Sequence, residues 1–191
     1  MTYKTTIIRS ALWYNESKKT VKYMLGGLNK TEITQKATQD NIYQVNTETR
    51  SKNIANTTFN RMGLYSEEFL EEFLKTDITT SKVMVLISVM ATDKLFYEYM
   101  NEVYREHKIL DNKQLTNKEF DKFVEHKRVE SEKISQWSQE VIRRMRSTYI
   151  KLLKEAGLID QKNNIKAIYI DYEIEKLLRK SNLEIFLDII I

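Results

Sequence analysis

The side chains best able to do chemistry in this sequence are few. Histidine occurs only as His107 and His126, and cysteine is absent. Neither histidine stands in a metal-ligand spacing or beside a plausible nucleophile, so both read as surface or packing residues. Glu67, Glu68, Glu71 and Glu72 are close in sequence but lack partner ligands, and they suit the first turns of an exposed helix. Glycine is limited to Gly26, Gly27, Gly63 and Gly157, which leaves no material for a phosphate loop, a dinucleotide fingerprint or a nucleophile elbow. No catalytic constellation, metal site or cofactor site is expected. Scattered Asp, Glu and Lys are all that an enzyme could draw on.

Cations offer more. Between Ser138 and Ala156 a helical projection at about 100° per residue gathers Ile142, Met145, Tyr149, Leu152, Leu153 and Ala156 within one arc. Arg143, Arg144, Lys151 and Lys154 lie on the far side, with Ser147 between them and Arg146 at the flank. A helix with one apolar and one cationic face can enter a major groove, where Arg reads guanine or grips phosphate and Lys neutralises phosphate. Lys162 and Lys166, in a hairpin after the helix, would reach neighbouring backbone. The competing reading is an ordinary solvent face, because Glu140 and Glu155 offset part of the charge.

A weaker copy lies in the N-terminal half. Arg50, Lys52, Asn53, Asn56, Asn60 and Arg61 share the helix that begins near Thr47, and here the ordinary solvent face is the favoured reading. Trp13, Trp137 and the tyrosines could stack on bases, but they suit the edges of a helical core better.

The elements that must position these residues are helices. Proline is missing altogether, so helices can run long. Amphipathic spacing predicts a helix over Leu12 to Leu25, stopped at Gly26-Gly27. Asn29 with Glu32 predicts a capping box and a short helix to about Thr38, and Thr47 caps the next, which ends at Gly63. Ser66 opens a short acidic helix. From about Thr80 to Glu106 apolar residues occupy most of the helix circumference, which predicts the central, most buried helix. Thr116 and Glu119 form a second capping box for a helix to about Val129, and Ser135 or Ser138 begins the basic helix ending at Gly157. The strand-like run Ile165 to Ile170 follows a polar turn and suggests a small hairpin. Asp171 caps a last helix through Lys180, and the apolar tail Leu183 to Ile191 could dock on a core or on a partner.

The expected fold is therefore mainly α, with two helix-turn-helix-like segments, the C-terminal one resembling a winged helix with a small β-hairpin. Residues 1–76 would form an N-terminal helix-turn-helix-like region, and 77–191 a central long helix plus the winged-helix-like region, as two parts or as one compact unit. Net charge divides as +6 over residues 1–62, −5 over 63–132 and +3 over 133–191, so the cations sit at the two ends. The longest nearly apolar run, Val83 to Ala91, is far short of the ~20 residues that span a bilayer. No export signal is visible, and the lack of cysteine fits a reducing cytoplasm.

The segment Tyr3-Lys4-Thr5-Thr6-Ile7-Ile8-Arg9, followed by Ala11-Leu12-Trp13 and Glu16-Ser17-Lys18, resembles the opening of the BrxA family of bacteriophage exclusion (BREX) systems. The resemblance continues at Asn101 to His107, at Leu115 to Phe123, at Trp137-Ser138 and at Leu153 to Ile159, and so covers nearly the whole chain. It implies a small cytoplasmic, non-enzymatic component of a prokaryotic antiviral defence system, encoded among methyltransferase, ATPase and phosphatase-like partners. Family members are similar to helical nucleic-acid-binding proteins, have been likened to the NusB antitermination fold, and are implicated in binding double-stranded DNA. The expected partners are double-stranded DNA and other BREX proteins, with no membrane and no small-molecule substrate. RNA binding in the manner of NusB, and a protein-protein adaptor role using the acidic middle and the apolar tail, are the alternatives. The family supplies no base-reading residues to carry across, so the site residues rest on the helix projection.

Overall fold

The computed structural model describes residues 2–110 and 114–191. A 3-10 turn, Thr6–Arg9, leads into α1 (Tyr14–Leu25), α2 (Lys30–Gln39), α3 (Glu48–Met62) and α4 (Glu67–Lys75). The central stretch comprises α5 (Ile78–Thr92), α6 (Lys94–Tyr99), a π-helical segment Met100–Tyr104, and α7 (Arg105–Ile109). Then come α8 (Asn117–Glu130), α9 (Glu132–Ser135), α10 (Gln139–Ala156), α11 (Tyr172–Arg179) and α12 (Glu184–Ile190).

Capping chemistry explains most of these starts. Asn29 and Glu32 make a reciprocal capping box, the Asn29 side chain accepting from the backbone of Thr31 and Glu32 while Glu32 accepts from Asn29 N at 2.8 Å. Thr116 and Glu119 repeat the arrangement at α8. Thr47, Ser66 and Ser138 each cap their helices through a side-chain oxygen.

α5 is the axis of the core. Every residue from Val83 to Met90 is buried, so the helix is covered all round, by α1, α3, α4, α10 and α12. Its polar members satisfy themselves locally, as where Ser88 Oγ donates to Val85 O at 2.6 Å. A smaller cluster of Trp13, Ile33, Ala37, Tyr43, Ile54 and Ala55 lies among α1, α2 and α3. Three buried hydroxyls run beside it, Thr20 lying 2.8 Å from the Tyr43 hydroxyl and 2.7 Å from that of Thr58.

Two expectations need correction. The long helix expected over Thr80 to Glu106 is broken at Asp93, whose backbone is extended and whose Oδ1 accepts from Phe96 N at 2.9 Å, capping a new helix. The hairpin expected around Ile165 to Ile170 is reduced, among the described residues, to two isolated antiparallel bridges, Gln114 with Asn164 and Ile159 with Ile165. Beyond Lys166, whose N–H reaches Leu158 O at 2.9 Å, the chain leaves the pairing. Of the two roles open to the apolar tail, docking on the core is the one the structure shows. The tail forms α12, buries Phe186, Leu187, Ile189 and Ile190 against the protein's own core, and sets Phe186 edge-on to Tyr97 at 5.3 Å. Lys108 donates to the carbonyls of Ile190 and Ile191 and holds the end in place. Among the described residues no helix is long and apolar enough to cross a membrane.

Candidate nucleic-acid interface

α10 divides as its sequence dictates. Ile142, Met145, Tyr149, Leu152, Leu153 and Ala156 are buried, and Tyr149 is clasped by Phe96, Tyr99 and Phe120 at ring separations of 4.9, 5.3 and 5.6 Å. This aromatic cluster fixes the rotation of the helix about its axis. Arg143, Arg144, Ser147 and Lys151 are consequently exposed. Their charges are only loosely held, Arg144 lying 3.9 Å from Glu140 and Lys151 3.6 Å from Glu155 in exposed i,i+4 pairs. Arg143 makes no ion pair among the described residues. Arg146, at the flank, is committed to α8 through Asp121 at 2.9 and 3.1 Å.

Lys154 behaves differently from its neighbours. It is half-buried and donates to Gln161 O at 3.0 Å, tying the end of α10 to the turn that follows. That turn is braced from within by Asp160, whose Oδ1 accepts from Lys162 N at 2.7 Å and Asn164 N at 2.9 Å. It is braced from outside as well, since Gln114 donates to Lys162 O at 2.9 Å and Leu115 N to Asn163 O at 3.1 Å. Lys162 and Lys166 are both exposed on this fixed support. At Gly157, with φ of +83°, the chain reverses out of the helix, a conformation that L side chains rarely adopt.

The N-terminal residues separate. Arg50 and Lys52 are exposed, but at 100° per residue they point about 200° apart on α3. Arg50 lines a groove of about 520 Å³ together with Lys82 and Glu155, the partner of Lys151, so it approaches the C-terminal end of α10. Lys52 lies on the opposite, outer face of α3, which it shares with Asn53, Asn56 and Asn60. Arg61 is not a surface cation at all. It is 4% exposed, donates to Ala11 O at 3.0 Å and Leu12 O at 3.4 Å, and stands 5.9 Å from the Trp13 ring. The projection that separates the faces of α10 would have located it, because Arg61 falls in the same arc of α3 as the buried Ile54 and Thr58.

Lys82 escaped the sequence reading because it lies on α5, directly before the wholly buried run Val83 to Met90. The exposed pair Tyr169 and Tyr172 was hidden among tyrosines that pack. His107 is buried, with Nε2 2.7 Å from Glu119 Oε1, so it locks α7 to the capping box of α8. Among the described residues no group of three His, Asp or Glu could hold a metal ion.

The BrxA family model matches residues 1–182. The chain belongs to the BrxA family. A relative from Bacillus cereus (strain H3081.97), described as "BREX protein BrxA", is 35% identical over 192 residues, covering 99% of this chain and 96% of that protein. The fold of this family member also resembles the crystal structure of an uncharacterized protein from Magnetospirillum magneticum. The TM-score is 0.82 at 18% identity, with 98% of this chain and 97% of the other covered.

Proposed function

We propose that this BrxA-family chain is a component of a BREX anti-phage defence system that binds double-stranded DNA through the exposed face of α10 and the braced turn after it. The observation that carries the reading is the division of α10. One face is fixed by the aromatic cluster, while the other presents Arg143, Arg144, Ser147 and Lys151 to solvent. Free, weakly paired guanidinium and ammonium groups on a rigid helix suit phosphate contact and guanine edges. The order of the Gln114–Leu115 segment, α8, α10 and a turn bridged back to Gln114 supports a winged-helix-like arrangement, in which Lys162 and Lys166 flank the helix. Arg50 and Lys82 extend the basic surface from the side. Arg61 has no part in it.

If four phosphates are neutralised, log affinity for duplex DNA should fall against log salt with a slope of about −3.6. Reversing two contacts together, Arg143→Glu and Lys151→Glu, should bring the slope to about −1.8. Salt-independent binding that ignores both substitutions would sink the reading.

A second reading, single-stranded RNA, draws on Tyr169 and Tyr172, which are 88% and 72% exposed close to Lys166 and are shaped to stack on bases. Competition between duplex DNA and single-stranded RNA for the labelled protein separates the two, because only the RNA reading expects Tyr169→Ala to lose most of the binding.

A further inference from the structure

We propose that the pocket between the N-terminal 3-10 turn, α3 and the end of α5 binds a small phosphate monoester bearing hydroxyl groups, with Arg61 and Lys4 taking the phosphate. The pocket has a volume of about 290 Å³, enough for a sugar phosphate, and none of its lining residues belongs to α10.

Its floor is a buried cation with spare hydrogen-bonding capacity. Arg61 uses one terminal nitrogen on the carbonyls of Ala11 and Leu12. Among the described residues, its Nε and its other terminal nitrogen make no hydrogen bond, and no carboxylate stands at ion-pair distance. An arginine desolvated in this way favours an anion delivered to its free edge, where two parallel N–H donors match two phosphate oxygens. Burial has already drawn its pKa down to about 10, with Asp93 only partly opposing the shift, so the group is still charged at neutral pH.

The remaining walls are suited to the rest of such a ligand. Lys4 adds a second cation at the mouth. The Thr57 and Thr6 hydroxyls make no side-chain hydrogen bond among the described residues, and Asn60, which accepts from Lys30 through Oδ1, keeps its amide hydrogens free. Asp93 spends Oδ1 on Phe96 N and has a second oxygen for a ligand hydroxyl. Two cations, one carboxylate and free hydroxyls fit a phosphorylated polyol better than a bare anion, which Asp93 would repel.

Titration of the isotopically labelled full chain with ribose 5-phosphate tests this, with ribose and sodium chloride at matched ionic strength as controls. Saturable amide shifts should appear at 4–10, 57–61 and 89–93, and ribose should bind at least about tenfold more weakly, the value of one good charge-assisted contact. Lys4→Ala and Thr57→Val, which leave Arg61 and the core intact, should each weaken binding severalfold. Shifts that fail to saturate at millimolar ligand, that are unchanged in both variants, or that map to α10 instead would overturn the proposal, and the last result would assign the phosphate to the DNA-binding face alone.

Discussion

At the scale of single residues, two buried cations illustrate opposite solutions. Lys127 on α8 is 5% exposed, and its ammonium meets Glu102 at 2.7 Å, Glu130 at 3.1 Å and Glu98 at 3.5 Å. Burial pulls its pKa down, but hydrogen bonds to Glu102 and Glu130 and the nearby Glu98 more than reverse this, and the net shift is upward. A base whose folded pKa lies above its unfolded one lends stability that is complete at neutral pH. That stability is lost only as pH rises past about 10.4, the unfolded value, and through the folded pKa. Lys127→Ala should therefore cost about 3 kcal/mol in urea unfolding at pH 7, at the low end for a broken buried pair because Glu102 and Glu130 stay partly in water. The difference from the wild type should shrink in strongly alkaline buffer. An unchanged midpoint at pH 7 would mean that the three carboxylates find water as readily as they find the lysine. Arg61, by contrast, relies on two backbone carbonyls and a Trp13 ring in place of carboxylates.

At the scale of elements, what was legible in the sequence follows from how local the signal is. Asn29 with Glu32, Thr116 with Glu119, Ser138 and Gly157 act within one turn of the chain, so their residue types alone announce helix ends. The faces of α10 were legible for the same reason, since a strong 3.6-residue period leaves one orientation open. Asp93 was not, because the apolar run continues on both sides of it and only the extended backbone reveals a cap. Nor was the loss of the hairpin. Ile165 to Ile170 has strand-like composition, yet Ile168 and Ile170 pack on the core, and among the described residues no neighbouring strand pairs with them. Gly157 tests the junction that matters most for the candidate interface. Nothing lies within 4 Å of an added Cβ, so Gly157→Ala meets only the backbone cost of φ at +83°. It should destabilise the protein by about 1 kcal/mol in thermal or denaturant unfolding. It should also weaken duplex binding if Lys162 and Lys166 contribute, since the turn that carries them departs from this residue.

At the scale of the whole molecule, the C-terminal residues belong to the core that supports α10. α12 covers one side of α5, and α10 another. Four buried apolar side chains, at about 1.5–3 kcal/mol each, stand behind that contact. Removing 183–191 should thus abolish or severely broaden the cooperative unfolding transition and reduce DNA binding with it. A truncated chain that melts normally while losing only a protein partner would restore the adaptor role for this segment.

The π-helical segment Met100–Tyr104 gives the central stretch a phase it would not otherwise have. Each π turn spends one residue more than an α turn, so everything after Tyr104 is rotated by about 100° relative to an uninterrupted α-helix. Two contacts depend on that offset: His107 faces Glu119 on α8, and Lys108, one position on, faces the last carbonyls of α12. An unbroken helix would swing both side chains away from their partners together. The extra residue therefore works as a timing device in the chain, bringing two distant segments into step from a single helix.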